Sequence, residues 1–253
     1  MSALARELAA LAGMGGLCGG ILVGAELLRR RGLAAERTRP LVHVSMGLAA
    51  SAFPWTFVSP WSVAALCGAF LALVGWSHRR GRLLSVHGVA RRSGGGVYFP
   101  AAVAVLFFLT VGRPALYVSS VLVLALADPM AALVGGAGGR RLYRVRGDVK
   151  SLEGSLAFLA TAIPCVLLPL VHLTSLPMRT CLLSALLAAL FATACEAASP
   201  AGSDNATVPL GTWLVLAALT GGFGGGTIVP LLVGAAFGAA ALASAGPRVL
   251  LHA

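Results

Sequence analysis

The composition of this 253-residue chain places it in a membrane, because 58% of its residues are hydrophobic, only 11% are charged and the mean hydropathy is +0.91. A soluble domain carries roughly 25% charged residues, and a chain of this length has no interior large enough to bury repeated apolar runs of about 20 residues. The net charge of +11 does not indicate a nucleic-acid-binding protein, since the arginines are clustered between the apolar runs, as the orientation signals of membrane proteins are.

The apolar runs predict an all-α, polytopic integral membrane protein that forms a single domain over residues 1–253. About nine transmembrane helices are expected, within a range of seven to nine, because the glycine-rich segment 221–226 is either a turn between the last two helices or a break within one longer element. Trp55 and Trp61 lie where interfacial aromatic residues belong. In chain order the predicted helices are 8–28, 41–58, 61–76, 97–112, 115–135, 155–174, 180–198, 208–221 and 226–244.

The basic residues predict the orientation of these helices. If nine helices cross the membrane and the N-terminus is outside, sixteen of the nineteen Lys and Arg residues fall on one side, in the loops 29–39, 79–92 and 140–150 and at Arg248. The positive-inside rule places that side, and with it the C-terminus, in the cytoplasm. Every acidic residue except Glu7 lies in or near the same half, which indicates a polar site with its loops on the cytoplasmic face.

Asp128 lies within an apolar helix, one to two turns from the predicted cytoplasmic end. A carboxylate inside the membrane is costly and marks either a functional position or a partnered one. Ala132, Gly135 and Gly139 continue the same helix face as small residues, which leave room for a ligand or for close helix packing. The alternative is that Asp128 pairs with an arginine and only fixes the helix register.

Lys150 is the only lysine among the nineteen basic residues. It is followed by Ser151 and by Glu153-Gly154, which open the next helix, so free backbone N–H groups and the helix dipole would face an anion held by the lysine. In a chain that otherwise uses arginine, this favours a compact ammonium donor that a planar guanidinium does not replace. The arginines between 140 and 146 are, taken singly, best interpreted as topology signals and partners of lipid headgroups.

A second polar group consists of Glu196 and the pair Asp204-Asn205, which seven residues separate. Carboxylates and an amide beside a basic loop suit a hard cation such as Mg²⁺ together with a polyphosphate. Phosphoryl transfer requires positioning, neutralisation of charge and a base for the incoming hydroxyl. The chain has no P-loop, since Gly147-Asp-Val precedes Lys150 where that motif has glycine.

His43 lies four residues after Arg39, at the predicted cytoplasmic entrance of the second helix. A single histidine at such a position is more often a hydrogen-bonded interfacial residue than a catalyst. We therefore favour the structural interpretation of His43, with a catalytic role as the alternative.

Three segments resemble motifs of the polyprenol kinase family, which includes dolichol kinases, phytol kinases and CTP-dependent diacylglycerol kinases. The resemblance covers about residues 37–212, and Pro40 departs from it, since the family commonly has lysine there. It implies a membrane kinase that transfers the terminal phosphoryl group of a nucleoside triphosphate, CTP in preference to ATP, to a polyprenol, a phytol-like alcohol or another lipid alcohol. The segments are Arg39-Pro-Leu-Val-His43; Asp128-Pro-Met-Ala-Ala-Leu-Val-Gly with Lys150-Ser-Leu-Glu-Gly-Ser; and Glu196-Ala-Ala-Ser-Pro-Ala-Gly-Ser-Asp-Asn-Ala-Thr-Val-Pro-Leu.

Carried over by position, the resemblance implies roles for the matching residues. Arg39 and His43 would contact the substrate or support the site. The carboxylates that would bind Mg²⁺, and that with Lys150 would form the catalytic set, are Asp128, Glu153, Glu196 and Asp204; the base is not assigned to one of them. The residues that would bind the nucleotide are Gly135, Gly139, Arg140, Arg144, Lys150, Ser151, Gly154, Ser155 and Asn205.

Two other classes of protein remain open from the sequence. A CDP-lipid-forming cytidylyltransferase has a similar run of aspartate, glycine, lysine and Glu-Gly, but it is expected to carry a different acidic signature from Asp204-Asn-Ala-Thr-Val-Pro-Leu. A transporter or lipid-binding protein would place Asp128 on a permeation path and would spread polar residues through both halves of the membrane. Here the polar residues are concentrated on one side.

Overall fold

The computed structural model describes residues 2–79, 95–145, 148–200, 202–221 and 250–251. Within these ranges the chain is helical apart from short connections and one small sheet, so the predicted fold class is confirmed. The protein is a multi-pass membrane protein. Within the described ranges, the segments that are long and apolar enough to cross a membrane are Ala3–Arg30, Pro60–Ser77, Pro114–Gly138, Leu152–Leu173 and Met178–Ala198.

The described helices correspond to the first eight predicted runs. The ninth run, 226–244, lies outside the described residues, as do Arg80, Arg82, Arg91, Arg92 and Arg248, so the number of nine helices stays a prediction. In chain order the elements are α1 (Ala3–Arg30), α2 (Ala35–Ser51), α3 (Phe53–Thr56), α4 (Pro60–Arg79), α5 (Gly95–Leu109), α6 (Pro114–Leu122), a π-helical segment (Val123–Ala127), α7 (Asp128–Gly138), α8 (Leu152–Leu173), α9 (Met178–Ala198) and α10 (Asp204–Leu219).

Helix α9 shows how the helices pack in a bilayer. One face carries small residues at helical spacing, among them Ala185, Ala188 and Ala192, and these are fully buried against neighbouring helices. The opposite face carries leucines that are about half exposed, such as Leu186 and Leu190 at 44% and 46%. A soluble helix buries its leucines, whereas α9 exposes them and buries its alanines. This suits a membrane, where helices associate through close packing of small residues while the leucines contact lipid.

The basic segment after α7 forms a β-hairpin, which the sequence analysis treated as a loop. Strand β1 (Leu142–Val145) pairs antiparallel with β2 (Asp148–Ser151), and Tyr143 lies opposite Lys150. Val145 is completely buried against Ala198 at the end of α9, which fixes the hairpin to the helical bundle. A short strand, β3 (Leu250–Leu251), pairs with the other edge of β1. The sheet therefore brings residues 250–251 to the same end of the protein as the basic hairpin.

Glu7 lies near the start of α1, and its surroundings separate it from the other acidic residues. Its Oε1 accepts hydrogen bonds from the backbone N–H groups of Val58, at 2.7 Å, and Ser59, at 3.1 Å, in the turn between α3 and α4. This turn follows the end of α2 that is remote from Arg39 and His43. Glu7 therefore caps a turn at the far end of the bundle, where the topology count places it alone among the acids.

Candidate active site

Four charged side chains and one histidine from separate elements meet at one end of the bundle. His43 comes from α2, Asp128 from the first residue of α7, Lys150 from β2, Glu196 from the last turn of α9 and Asp204 from the first residue of α10. In sequence these five residues are spread over 162 positions, from 43 to 204. We call them the polar cluster. The cluster joins the two polar groups that the sequence analysis expects at one level of the membrane.

Lys150 is the central cation of the polar cluster. Its Nζ donates hydrogen bonds to Oε1 of Glu196, at 2.7 Å, and to the backbone carbonyl of Glu196, and it lies 3.9 Å from Oδ2 of Asp204. Burial lowers the pKa of Lys150, but the charges of Glu196 and Asp204 outweigh it, so that the pKa lies above its usual value. Lys150 therefore stays a charged ammonium at neutral pH, and its contacts with Glu196 use two of its three N–H donors.

Glu196 and Asp204 are held in place by the turn that joins α9 to α10. Gly202 in this turn has a φ of +83°, a conformation that glycine adopts without steric cost. The amide of Asn205 donates to Oδ1 of Asp204 at 3.2 Å and to the carbonyl of Gly202 at 3.1 Å. Asn205 thus orients Asp204, and its predicted contact with a nucleotide stays a prediction. The other oxygen of Glu196, Oε2, is buried and has no hydrogen-bond partner among the described residues.

Asp128 is the most accessible carboxylate of the polar cluster. Its side chain is 27% exposed, against 8% for Glu196 and 15% for Asp204. The charges of Asp204, Glu196, Lys150 and Arg39 all act on it. Asp128 therefore does not stand in a simple pair with one arginine, the alternative that the sequence left open. It belongs to a site in which three carboxylates face one lysine and one arginine.

The predicted nucleotide-binding glycines lie beside the polar cluster, where α7 crosses the start of α8. A Cβ at Gly135 would come 2.8 Å from Oγ of Ser151, and a Cβ at Gly139 would come 2.7 Å from Cβ of Ser151. A Cβ at Gly154 would lie 2.8 Å from the carbonyl of Ala131. These distances are shorter than real Cβ contacts, so glycine is needed for the two backbones to approach. The glycines set the position of α8, and their contact with a nucleotide stays a prediction.

Ser151 and Ser155 have partners within the protein. Oγ of Ser151 caps α8 by accepting a hydrogen bond from the N–H of Gly154 at 3.1 Å. The hydroxyl of Ser155 lies 2.8 Å from the hydroxyl of Tyr143. Tyr143 is a residue that the sequence analysis missed, and it stands across the hairpin from Lys150. The residues from 143 to 146, Tyr-Arg-Val-Arg, alternate between apolar and charged side chains, which is the signal that could have indicated a strand here.

Glu153 and the predicted arginines have surroundings that differ from those of the polar-cluster carboxylates. Both oxygens of Glu153 are 3.3 Å from the backbone N–H of Arg141, so this carboxylate closes the base of the hairpin. Arg140 and Arg144 are exposed on the hairpin. Arg39 is half-buried and acts electrostatically on both His43 and Asp128. The predicted metal-binding role of Glu153 and the nucleotide-binding role of the arginines stay predictions.

The residues of the polar cluster fit a cation only with a ligand that adds further oxygens. Among the described residues, no three His, Cys, Asp or Glu side chains converge closely enough to hold a metal ion by themselves. However, the cluster has three carboxylates for two nearby cations, and the buried Oε2 of Glu196 lacks a partner. Mg²⁺ commonly binds through one or two carboxylates together with substrate phosphates and water. The donor set therefore fits Mg²⁺ that arrives with a nucleotide.

The chain is similar to a protein of known activity. No family model and no solved structure matches the chain. A curated protein, the phytol kinase of Synechocystis sp., is 33% identical over 201 residues, which span 78% of this chain and 85% of the relative. At that identity and coverage the two proteins share a family. The chain therefore belongs to the polyprenol kinase family, the membrane-embedded lipid-alcohol kinases that its motifs resemble.

Proposed function

We propose that this protein transfers the terminal phosphoryl group of CTP to an isoprenoid alcohol of the phytol type at the cytoplasmic face of the membrane. The relative that carries this proposal is named a phytol kinase, and the match covers most of both chains. The observation in the structure that supports it is the polar cluster, in which Lys150, Glu196, Asp204 and Asp128 come together at the end of the bundle that also bears the basic hairpin.

Asp128 is the residue that we propose to accept the proton of the alcohol. It is the most exposed carboxylate of the polar cluster, and Lys150 contacts the other two. As the alcohol oxygen bonds to the terminal phosphorus, its proton passes to Asp128. The bond from that phosphorus to the bridging oxygen breaks, and the nucleoside diphosphate leaves. Asp128 lies one to two turns inside the predicted cytoplasmic end of its membrane span. An alcohol that reaches it can therefore keep its hydrocarbon tail in the lipid.

Lys150 is the residue that we propose to hold the transferred phosphoryl group. Glu196 orients its ammonium, and the third N–H donor is then available to a phosphate oxygen. Negative charge on that oxygen is stabilised by a fixed, partly buried cation more strongly than by water. Lys150 also holds Glu196 in position.

Mg²⁺ is the cofactor that we propose for the site, with Glu196 and Asp204 as its protein ligands and nucleotide phosphates as the others. When bound, it would neutralise the phosphates during transfer. The buried Oε2 of Glu196 without a partner supports this assignment. Glu153 is left out of the metal set because its carboxylate closes the hairpin base.

The test is a transfer assay with the purified protein in lipid nanodiscs, given CTP or ATP labelled in either the α- or the γ-phosphate. The acceptors are phytol, farnesol, a polyprenol and diacylglycerol. We expect γ-label to pass to phytol, with CTP the better donor. Transfer of α-label to the lipid would instead identify a cytidylyltransferase, and the absence of transfer to any acceptor from either nucleotide would contradict a kinase.

A further inference from the structure

The membrane span that carries Asp128 changes its helical pattern directly before this residue. Val123–Ala127 forms a π-helical segment between α6 and α7. In the π pattern each carbonyl accepts from the N–H five residues later, so the carbonyl of Leu124 faces residue 129. Residue 129 is proline, which has no N–H, and in an α-helix its ring would also collide with the carbonyl four residues earlier. Pro129 therefore explains both the altered pattern and a carbonyl at Leu124 that needs a donor from elsewhere.

His43 supplies that donor from the neighbouring helix. Its Nε2 lies 3.0 Å from the carbonyl oxygen of Leu124. Because a carbonyl only accepts, Nε2 carries the proton in this contact. The same Nε2 is 3.9 Å from Oδ2 of Asp128, which is too long for a hydrogen bond. The imidazole is therefore bonded to the backbone of the π segment and stands beside the carboxylate without a direct bond to it.

Two further contacts fix His43 against the π segment. Gly47, one turn after His43, brings α2 so close that a Cβ at this position would overlap Cβ of Ala125 and lie 3.2 Å from its Cα. The ring of Phe99 packs edge-to-face against the imidazole, with the ring centroids 5.2 Å apart. The imidazole side chain is only 17% exposed. This environment holds one ring orientation, as a positioning hydrogen bond requires.

From these contacts we infer that His43 is a positioning residue: its Nε2–H replaces the backbone donor that Pro129 lacks, and so fixes the π segment that aims Asp128 into the polar cluster. A π segment amounts to one inserted residue, and one residue of an α-helix turns the chain by about 100°. Loss of the segment would therefore turn Asp128 away from Lys150, Glu196 and Asp204. The inference rests on the proposed function, because it assigns Asp128 a catalytic task.

The test compares five variants of the whole protein in nanodiscs with the wild type: His43→Ala, His43→Gln, His43→Asn, Pro129→Ala and the double variant His43→Ala with Pro129→Ala. Gln places an amide N–H where Nε2 of the imidazole stands, whereas Asn is one methylene too short to reach. We expect His43→Ala and His43→Asn to lower kcat by about 100-fold, the effect of a catalytic group displaced by about 1 Å. The KM for CTP should change little, and His43→Gln should keep most of the activity.

Pro129→Ala makes the test specific, because alanine restores a backbone N–H that can satisfy the carbonyl of Leu124. In the Pro129→Ala background we expect His43→Ala to cost much less in kcat than it costs in the wild type. Hydrogen exchange of the segment 123–131 gives a readout that does not need activity. Exchange should rise in His43→Ala, return to the wild-type level in His43→Gln and be insensitive to His43→Ala when residue 129 is alanine.

Several results would overturn the inference. His43→Gln as inactive as His43→Ala, with a change in the pH profile of kcat, would make His43 an acid–base group. If His43→Ala lowered kcat by the same factor in the wild type and in Pro129→Ala, His43 and Pro129 would act independently. A wild-type protein that phosphorylates no alcohol would refute the proposed function alone, since the exchange measurements would still decide whether His43 holds the π segment.

Discussion

Nζ of Lys150 lies 2.7 Å from Oε1 of Glu196 and also bonds to the backbone carbonyl of the same residue. This double contact ties the end of the basic hairpin to the end of α9, through two residues that are 46 positions apart in sequence. Both side chains are largely buried, at 11% and 8% exposure. The pair therefore determines both the shape of the polar cluster and the charge that a phosphate group meets there.

Lys150→Arg is predicted to inactivate the enzyme although it keeps the charge. A guanidinium is planar and larger, and it cannot reach both Oε1 and the backbone carbonyl of Glu196 from the space that an ammonium fills. We expect a loss of at least about 100-fold in kcat, similar to the removal of a transition-state donor. The matched control is Arg179→Lys on the exposed start of α9, which should keep wild-type kinetics. Full activity of Lys150→Arg would show that the site needs only a positive charge.

Lys150 and Glu196 are also predicted to be coupled in stability. Removal of one partner leaves a buried charge, which typically costs about 3–5 kcal/mol, whereas removal of both costs less than the sum. We expect Lys150→Met and Glu196→Gln each to lower the Tm in detergent, and the double variant to recover part of the loss. Additive losses would mean that the two side chains do not stabilise each other.

Chelation is predicted to abolish turnover, and added Mg²⁺ to restore it. Asp204→Asn should raise the Mg²⁺ concentration that gives half-maximal activity, because one proposed ligand loses its charge. The matched control is Glu153→Gln, whose carboxylate bonds to the N–H of Arg141 at the hairpin base. Its Mg²⁺ dependence should equal that of the wild type. If Glu153→Gln raised the Mg²⁺ concentration for half-maximal activity and Asp204→Asn did not, Glu153 and not Asp204 would be the metal ligand.

Gly47→Ala is predicted to destabilise the protein, because the new methyl group would overlap Ala125 in the π segment. Overpacking of this kind costs typically about 1–3 kcal/mol, and we expect a lower Tm together with a lower kcat. Gly16→Ala in α1 is the control, since no atom lies within 4 Å of its added Cβ. Equal Tm values for Gly47→Ala and Gly16→Ala would contradict a close contact between α2 and the π segment.

The sequence indicates the fold class and the residues of the polar cluster because membrane chemistry makes both conspicuous. Apolar runs of about 20 residues have few alternatives to transmembrane helices, and Asp128, Lys150, Glu196 and Asp204 stand out where charge is expensive. The predicted helix ends and the rise per residue also give the level of each residue in the membrane. The two polar groups therefore could be expected to meet before any distance was known.

The details that orient these side chains could not be predicted in the same way. A π segment inserts one residue, and the hydrophobic pattern around Leu124 looks the same with or without it. The β-hairpin could not be predicted with the same ease, because the arginines Arg140, Arg141 and Arg144 are typical of a cytoplasmic loop that sets the topology. The metal-binding role of Glu153 follows from the family resemblance alone, and the sequence does not show that its carboxylate accepts hydrogen bonds from the backbone N–H of Arg141.

The most direct measurement of the central claim is the transfer of γ-labelled phosphate from CTP to phytol by the wild type and by Asp128→Asn, each shown to be folded by size exclusion and by its Tm. The wild type should form labelled phytyl phosphate, and Asp128→Asn should lose the transfer without losing the fold. Undiminished transfer by a folded Asp128→Asn variant would contradict the proposal that Asp128 takes the proton of the alcohol in the polar cluster.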